Sequence, residues 1–128
     1  MIPNDLRYHE EHEWVRVSGM QATLGISHFA QDALGDIVFI DMPKPGSVVK
    51  AGQQIGEVES TKTTSTIYTP VSGVIAKVNV DLKDHPEVVN SDPYGKGWMA
   101  VIDLSNTSEV DQLMNAAQYE TFLAGQKH

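Results

Sequence analysis

Short runs of apolar and β-branched residues, separated by turn residues, dominate the chain. Glu13–Ser18 and Gln21–Ile26 flank Gly19-Met20 and predict a hairpin. Ser27–Gly35 predicts a short helix: Ser27 suits the N-cap, Phe29, Ala30, Ala33 and Leu34 have helical spacing, and Gly35 suits the stop. Asp36–Asp41, "DIVFID", predicts a strand, ended by the prolines of "MPKPG". A turn at Ala51-Gly52 leads into a strand through Ile55–Glu59, and "TSTIYT" is its return strand. In this pair Ile55, Val58 and Ile67 alternate with polar positions, as in a half-buried strand. "GVIAKVNV" and Trp98–Leu104 predict two more strands, with "DPYGKG" as a dense turn cluster before the second. Residues 81–90 read as loop or weak helix, with Pro86 able to start a helical turn.

The pattern changes near the C-terminus. Val110, Leu113, Met114 and Ala117 follow helical spacing, Ser108 can cap, and Asp111 three residues on approaches a capping box. Asn115 can interrupt this helix and cap a second piece, Ala116–Leu123, with Gly125 as a stop. Many short strands with minor helices predict a mainly β sandwich or barrel. "PGSVVKAGQQIGEV" and "SGVIAKVNV" also resemble each other, each running from Gly into apolar residues. They lie on either side of Lys62, so paired β units would put Lys62 at the turn joining them.

Composition narrows the chemistry. At 128 residues the chain suits one domain, taken here as 1–128, with room for a core. A net charge of −8 disfavours nucleic acid and anionic membranes, since phosphate binding needs Lys and Arg. No cysteine is present, so thiol chemistry would have to come from a cofactor. No apolar stretch approaches membrane-spanning length, and "MIPNDLRYHEEHEW" lacks the form of a secretory signal. The expected address is the cytoplasm.

Against this background Lys62 stands out. In "GEVESTKTTSTIYTPVSG" it sits among serine and threonine, at the expected tip of a hairpin. Small neighbours leave space around the ammonium, although Glu57 and Glu59 are close in sequence. By position alone, solvated decoration of a loop tip is the stronger reading of such a lysine.

Four blocks, in order, resemble the H proteins of the glycine cleavage system: "EHEWVRV", "LGISHFAQDALGDIVFIDMPKPG", the lysine segment, and "PEVVNSDPYGKGWM". Where that family often has Val before the lysine and Ala-Ala or Ala-Thr after it, this chain has Thr61, Thr63 and Thr64. Thr66 stands where the family usually carries an aspartate near the modified arm.

The resemblance implies a lipoyl-domain-like flattened β-barrel of two antiparallel sheets, with short helices and a C-terminal helix. It implies lipoate in amide linkage to Lys62, attached by a lipoylating enzyme. It further implies a non-catalytic shuttle, expected to be monomeric. Its partners would be a pyridoxal-phosphate glycine decarboxylase, an aminomethyltransferase and a dihydrolipoyl dehydrogenase. Glu13 is then a candidate to meet the amino group of the arm's cargo, with an exposed strand carboxylate as the plain alternative. Ser65 and Thr69 are weaker candidates for the same groove.

Other readings compete. "HEEHE" suggests a metal site, but His9 and His12 are three apart, whereas a zincin helix needs ligands four apart. A biotin carrier would have methionines flanking the lysine. A lipoyl domain of a 2-oxo acid dehydrogenase would be shorter and tethered by a flexible linker. An unmodified binding module, or a relay passing lipoate to other proteins, would also account for the residues.

Overall fold

The structure, a computed structural model, describes residues 2–125. The chain begins with strands β1 (Arg7–Tyr8), β2 (Glu13–Ser18) and β3 (Gln21–Ile26), followed by helix α1 (His28–Leu34). Strands β4 (Ile37–Asp41), β5 (Val48–Val49), β6 (Gln54–Ser60), β7 (Thr64–Tyr68) and β8 (Gly73–Val78) come next. Short helices α2 (Asp81–Asp84) and α3 (Val88–Ser91) precede β9 (Ala100–Leu104), and α4 (Ser108–Asp111) and α5 (Ala116–Ala124) complete the chain.

The strands form two antiparallel sheets, one ordered β1-β2-β3-β9-β8-β5 and the other β4-β6-β7. Their apolar faces meet in one core that includes Val15, Leu24, Ile40, Val58, Ile67, Ile75 and Ile102. This is the flattened sandwich that the turn-separated strands predict. The two similar stretches flanking Lys62 pair with each other. Val48 stands opposite Val74, and Ile75 N donates to Ser47 O at 2.9 Å.

A second cluster lies on the other side of β2. Leu6, Tyr8, Trp14 and Tyr119 are buried there, with Met114 and Phe122 packed against them. Glu13, Trp14 and Val15 are therefore all buried in succession, because β2 is covered on both faces. Trp14 Nε1 donates to Ile26 O at 3.0 Å and to Pro93 O at 3.1 Å. Its ring lies so close over Gly25 that a Cβ there would be 2.6 Å from Cζ2.

The C-terminal region corrects part of the sequence reading. Val110, Leu113, Met114 and Ala117 do not share one helix. The first helix ends at Asp111, and Met114 instead bridges to Tyr8 as a strand would, with Tyr8 N donating to Met114 O at 2.8 Å. Thr107, not Ser108, occupies the N-cap position of α4, without a side-chain cap bond. The capping box is at Asn115 and Gln118, where each side chain satisfies the other's backbone N–H. Backbone pairing with β1 outcompetes helical periodicity here because Met114 gains both a ladder partner and an apolar cluster.

Candidate functional site

Strands β6 and β7 form a hairpin whose tip is Thr61-Lys62-Thr63, and all three residues are exposed. Ser60 shapes the tip. Its hydroxyl accepts from Lys62 N at 3.3 Å and Thr63 N at 3.2 Å and donates to Thr63 O at 3.1 Å. A short polar side chain that closes a turn on its own backbone is the reason serine suits this place. Thr61 N donates to Asp36 O at 3.0 Å, which ties the tip to the start of β4.

The lysine stem lies against the end of α1. A Cβ on Gly35 would stand 3.3 Å from Cε of Lys62, and Gly35 has φ 80°, a conformation that disfavours any other residue. Asn90 holds this platform in place. Its amide donates to Gly35 O at 2.8 Å and to Gln31 Oε1 at 2.9 Å, and its carbonyl accepts from Ile37 N at 2.9 Å. Sequence reasoning overlooked Ser60 and Asn90, since a lone Ser or Asn in a polar stretch carries no distinguishing signal. Among the described residues Lys62 forms no ion pair, despite Glu57 and Glu59 on β6.

Glu13 is not an exposed strand carboxylate. It is 1 % exposed. Oε1 lies 2.9 Å from His9 Nδ1, and Oε2 accepts from Tyr68 N at 2.9 Å. Burial pushes the Glu13 carboxyl above the ordinary carboxylate range, against the opposing pull of the His9 and Tyr68 bonds. His9 is pushed above its ordinary range, chiefly by its bond to Glu13. Strand β7 thus connects the two main candidates: Lys62 lies two residues before its start, and Tyr68 N at its other end donates to Glu13.

The weaker candidates separate. Ser65 is half-buried, opposite Val58 and on the same face of β7 as buried Ile67. Thr69 is fully buried, and its hydroxyl donates to Val71 O at 2.6 Å and accepts from Val71 N at 3.3 Å. Its side chain is spent on the turn after β7 and offers nothing to a surface groove in this geometry. Thr61, Thr63 and Thr64 are exposed and Thr66 is half-buried opposite Glu57.

The two histidines of "HEEHE" diverge. His9 turns to Glu13, whereas His12, at φ 75°, has its Nδ1 2.8 Å from Tyr119 Oη. Ser27 Oγ lies 2.8 Å from the same phenol oxygen, so α5 is fastened to the start of α1. Burial lowers His12 below the ordinary imidazole range and pushes Tyr119 up to about 12. Among the described residues no group of three His, Asp or Glu side chains could hold a metal ion. No helix among them is long and apolar enough to cross a membrane.

The family model described as Glycine cleavage H-protein matches residues 6–126. The chain belongs to the glycine cleavage H-protein family. A glycine cleavage system H protein of Bacillus subtilis (strain 168) is 54% identical over 119 residues, covering 93% of this chain and 94% of that protein. One from Brevibacillus brevis is 51% identical over 122 residues, covering 95% of this chain and 97% of its own. The crystal structure of an H protein from Mycobacterium marinum superposes with a TM-score of 0.89 at 37% identity, covering 96% of this chain and 99% of that one. The family match takes in the hairpin, the α1 platform and the Glu13 site together, so all three belong to one H-protein scaffold.

Proposed function

We propose that the chain, as one unit over 1–128, is the lipoyl-bearing shuttle of the glycine cleavage system. It carries the aminomethyl group of glycine from the decarboxylase to the aminomethyltransferase, and electrons to the dihydrolipoyl dehydrogenase. The observation that carries this reading is Lys62 at an exposed hairpin tip, free of ion pairs among the described residues, in a chain whose family match spans 6–126. Lipoate, once attached there by a lipoylating enzyme, would supply the redox sulfur that a chain without cysteine lacks.

The residues present suit that group. Small neighbours admit an acylating enzyme, and the Lys62 amine is a nucleophile once deprotonated. The chain's own part is presentation and protection rather than bond breaking, and in this reading it acts as a cytoplasmic monomer. Glu13, a buried carboxylate, is suited to meet an ammonium and to hold it away from water. Ser65 would sit beside the path between them. Thr69 would act only by shaping the turn that follows β7.

Two measurements test this. The lipoylated chain should stimulate exchange of bicarbonate into glycine by a glycine decarboxylase, and no stimulation would remove the assignment. For the protective role, Glu13→Gln should release ammonia at least several-fold faster than wild type after loading with glycine, because a neutral amide holds an ammonium less strongly. An unchanged rate would take Glu13 out of the site.

A further inference from the structure

His9 has no role in the reading above, yet it makes the shortest side-chain contact to the buried Glu13. The two ring-and-carboxylate atoms lie 2.9 Å apart, and His9 N also donates to Glu13 O at 2.8 Å, so the pair is fixed by main chain and side chain together. The imidazole is only 20 % exposed. It forms part of the wall of an open cleft of about 500 Å³, shared with Glu10, Glu109, Gln112 and Met114. One side of His9 therefore faces a carboxylate sealed from water, and its surroundings lead to solvent.

We propose that His9 is a positioning residue of the arm site: its Nδ1–H keeps the Glu13 carboxylate in its acceptor form, and its ring loses the Nε2 proton when a primary ammonium docks there. The inference rests on the reading that Glu13 meets the cargo's amino group.

Glu11 N–H is placed to donate to the same Nδ1 at 3.3 Å, a longer contact that a protonated Nδ1 forgoes. The carboxylate contact is shorter and charge-assisted, which assigns the hydrogen to Nδ1 and points it at Oε1. Tyr68 N–H occupies Oε2. A carboxylate with a donor on each oxygen resists the protonation that burial favours. Loss of the His9 bond removes one of the two, and Glu13 then titrates at higher pH.

The charges around His9 hold its proton until a second cation arrives. Glu10 and Glu11 on its own turn and Glu13 favour the imidazolium, while burial opposes it. His12, on the same turn, is held toward its neutral form. Glu109 of α4 also lines the cleft, its carboxylate accepting from Ser72 N and Oγ, and Tyr119 of α5 interacts with Glu13. When an ammonium binds Glu13, two cations share one carboxylate. The Nε2 proton then goes to solvent, and the Nδ1–H···Oε1 bond stays intact. No other bond changes.

The sign follows from that proton. Docking releases a proton from His9, so docking strengthens as pH rises through the His9 midpoint and weakens below it. His9→Asn separates bonding from charge, since its amide N–H can stand where Nδ1 does and does not titrate.

The test has two readouts on the full chain. NMR pH titration of the Glu13 carboxyl, without glycine, should show its midpoint about one pH unit higher in His9→Ala and close to wild type in His9→Asn. In the lipoylated, glycine-loaded protein at pH 7, His9→Ala should release ammonia several-fold faster than wild type. His9→Asn should release it near the wild-type rate, without the fall in rate on raising pH through the His9 midpoint. An unmoved Glu13 midpoint in His9→Ala, or ammonia release from His9→Asn as fast as from His9→Ala, overturns the proposal. If the NMR shift occurs but Glu13→Gln releases ammonia at the wild-type rate, the arm-site reading itself fails and takes this inference with it.

Discussion

Lys62→Arg should gain no lipoyl group under conditions in which the wild-type chain gains one, read as intact mass after expression with lipoate and its ligase. The reason is chemical. Acylation needs a neutral amine, and a guanidinium stays protonated at any accessible pH, whereas a lysine amine can lose its proton to an enzyme's base. Charge and approximate length are kept, so a loss cannot be charged to a changed surface. Structural loss is also excluded by the site itself. Lys62 is exposed, forms no ion pair among the described residues and lies against Gly35 at the end of α1. The variant should therefore melt with the wild type while losing all stimulation of glycine–bicarbonate exchange. A wild-type chain that stays unmodified would sink the carrier reading at its root.

The largest effect on stability is expected at Trp14. Its ring is wholly buried between β2 and the layer that includes α5, and its N–H serves two carbonyls. Truncation to alanine removes that apolar surface and leaves a cavity over Gly25, which has no side chain to fill it. The expected cost is about 3–5 kcal/mol. A domain of this kind has only about 5–15 kcal/mol in total. Thermal unfolding should therefore drop by on the order of 10–20 °C. Trp14→Phe retains most of the packing but leaves Ile26 O and Pro93 O without their donor, at about 1–3 kcal/mol. A Trp14→Ala melting point within a few degrees of wild type would show that the second cluster adds little to the fold. Because β2 also carries Glu13, partial loosening at Trp14 should raise ammonia release before the chain unfolds.

Much of this protein is legible locally. Ser27 and Gly35 bracket α1 as capping chemistry predicts, and the hydroxyl of Ser27 accepts from Ala30 N. The β6–β7 hairpin and its lysine tip follow from alternation and from the small polar residues between the strands. Other features resist such reading. Helical spacing over 110–117 misleads because Met114 pairs with Tyr8, a partner 106 residues away. Strand β1 is two residues long and has no pattern to detect. Glu13 reads equally as an exposed strand carboxylate or a groove residue, and only tertiary packing, with Tyr68 N donating to it across the sandwich, makes it a buried acid.

Capping, turn chemistry and strand alternation act between neighbours in the chain, so the sequence by itself determined the β-rich architecture, the hairpin and the exposed lysine at its tip. The four blocks that resemble H proteins determined the family. Which carboxylate is buried, which histidine holds it and what platform supports the lysine stem were decided by tertiary structure alone. Those properties depend on desolvation and on bonds between residues far apart, Glu13 with Tyr68 and Asn90 with Gly35. Neither burial nor a distant partner is a property of any single segment.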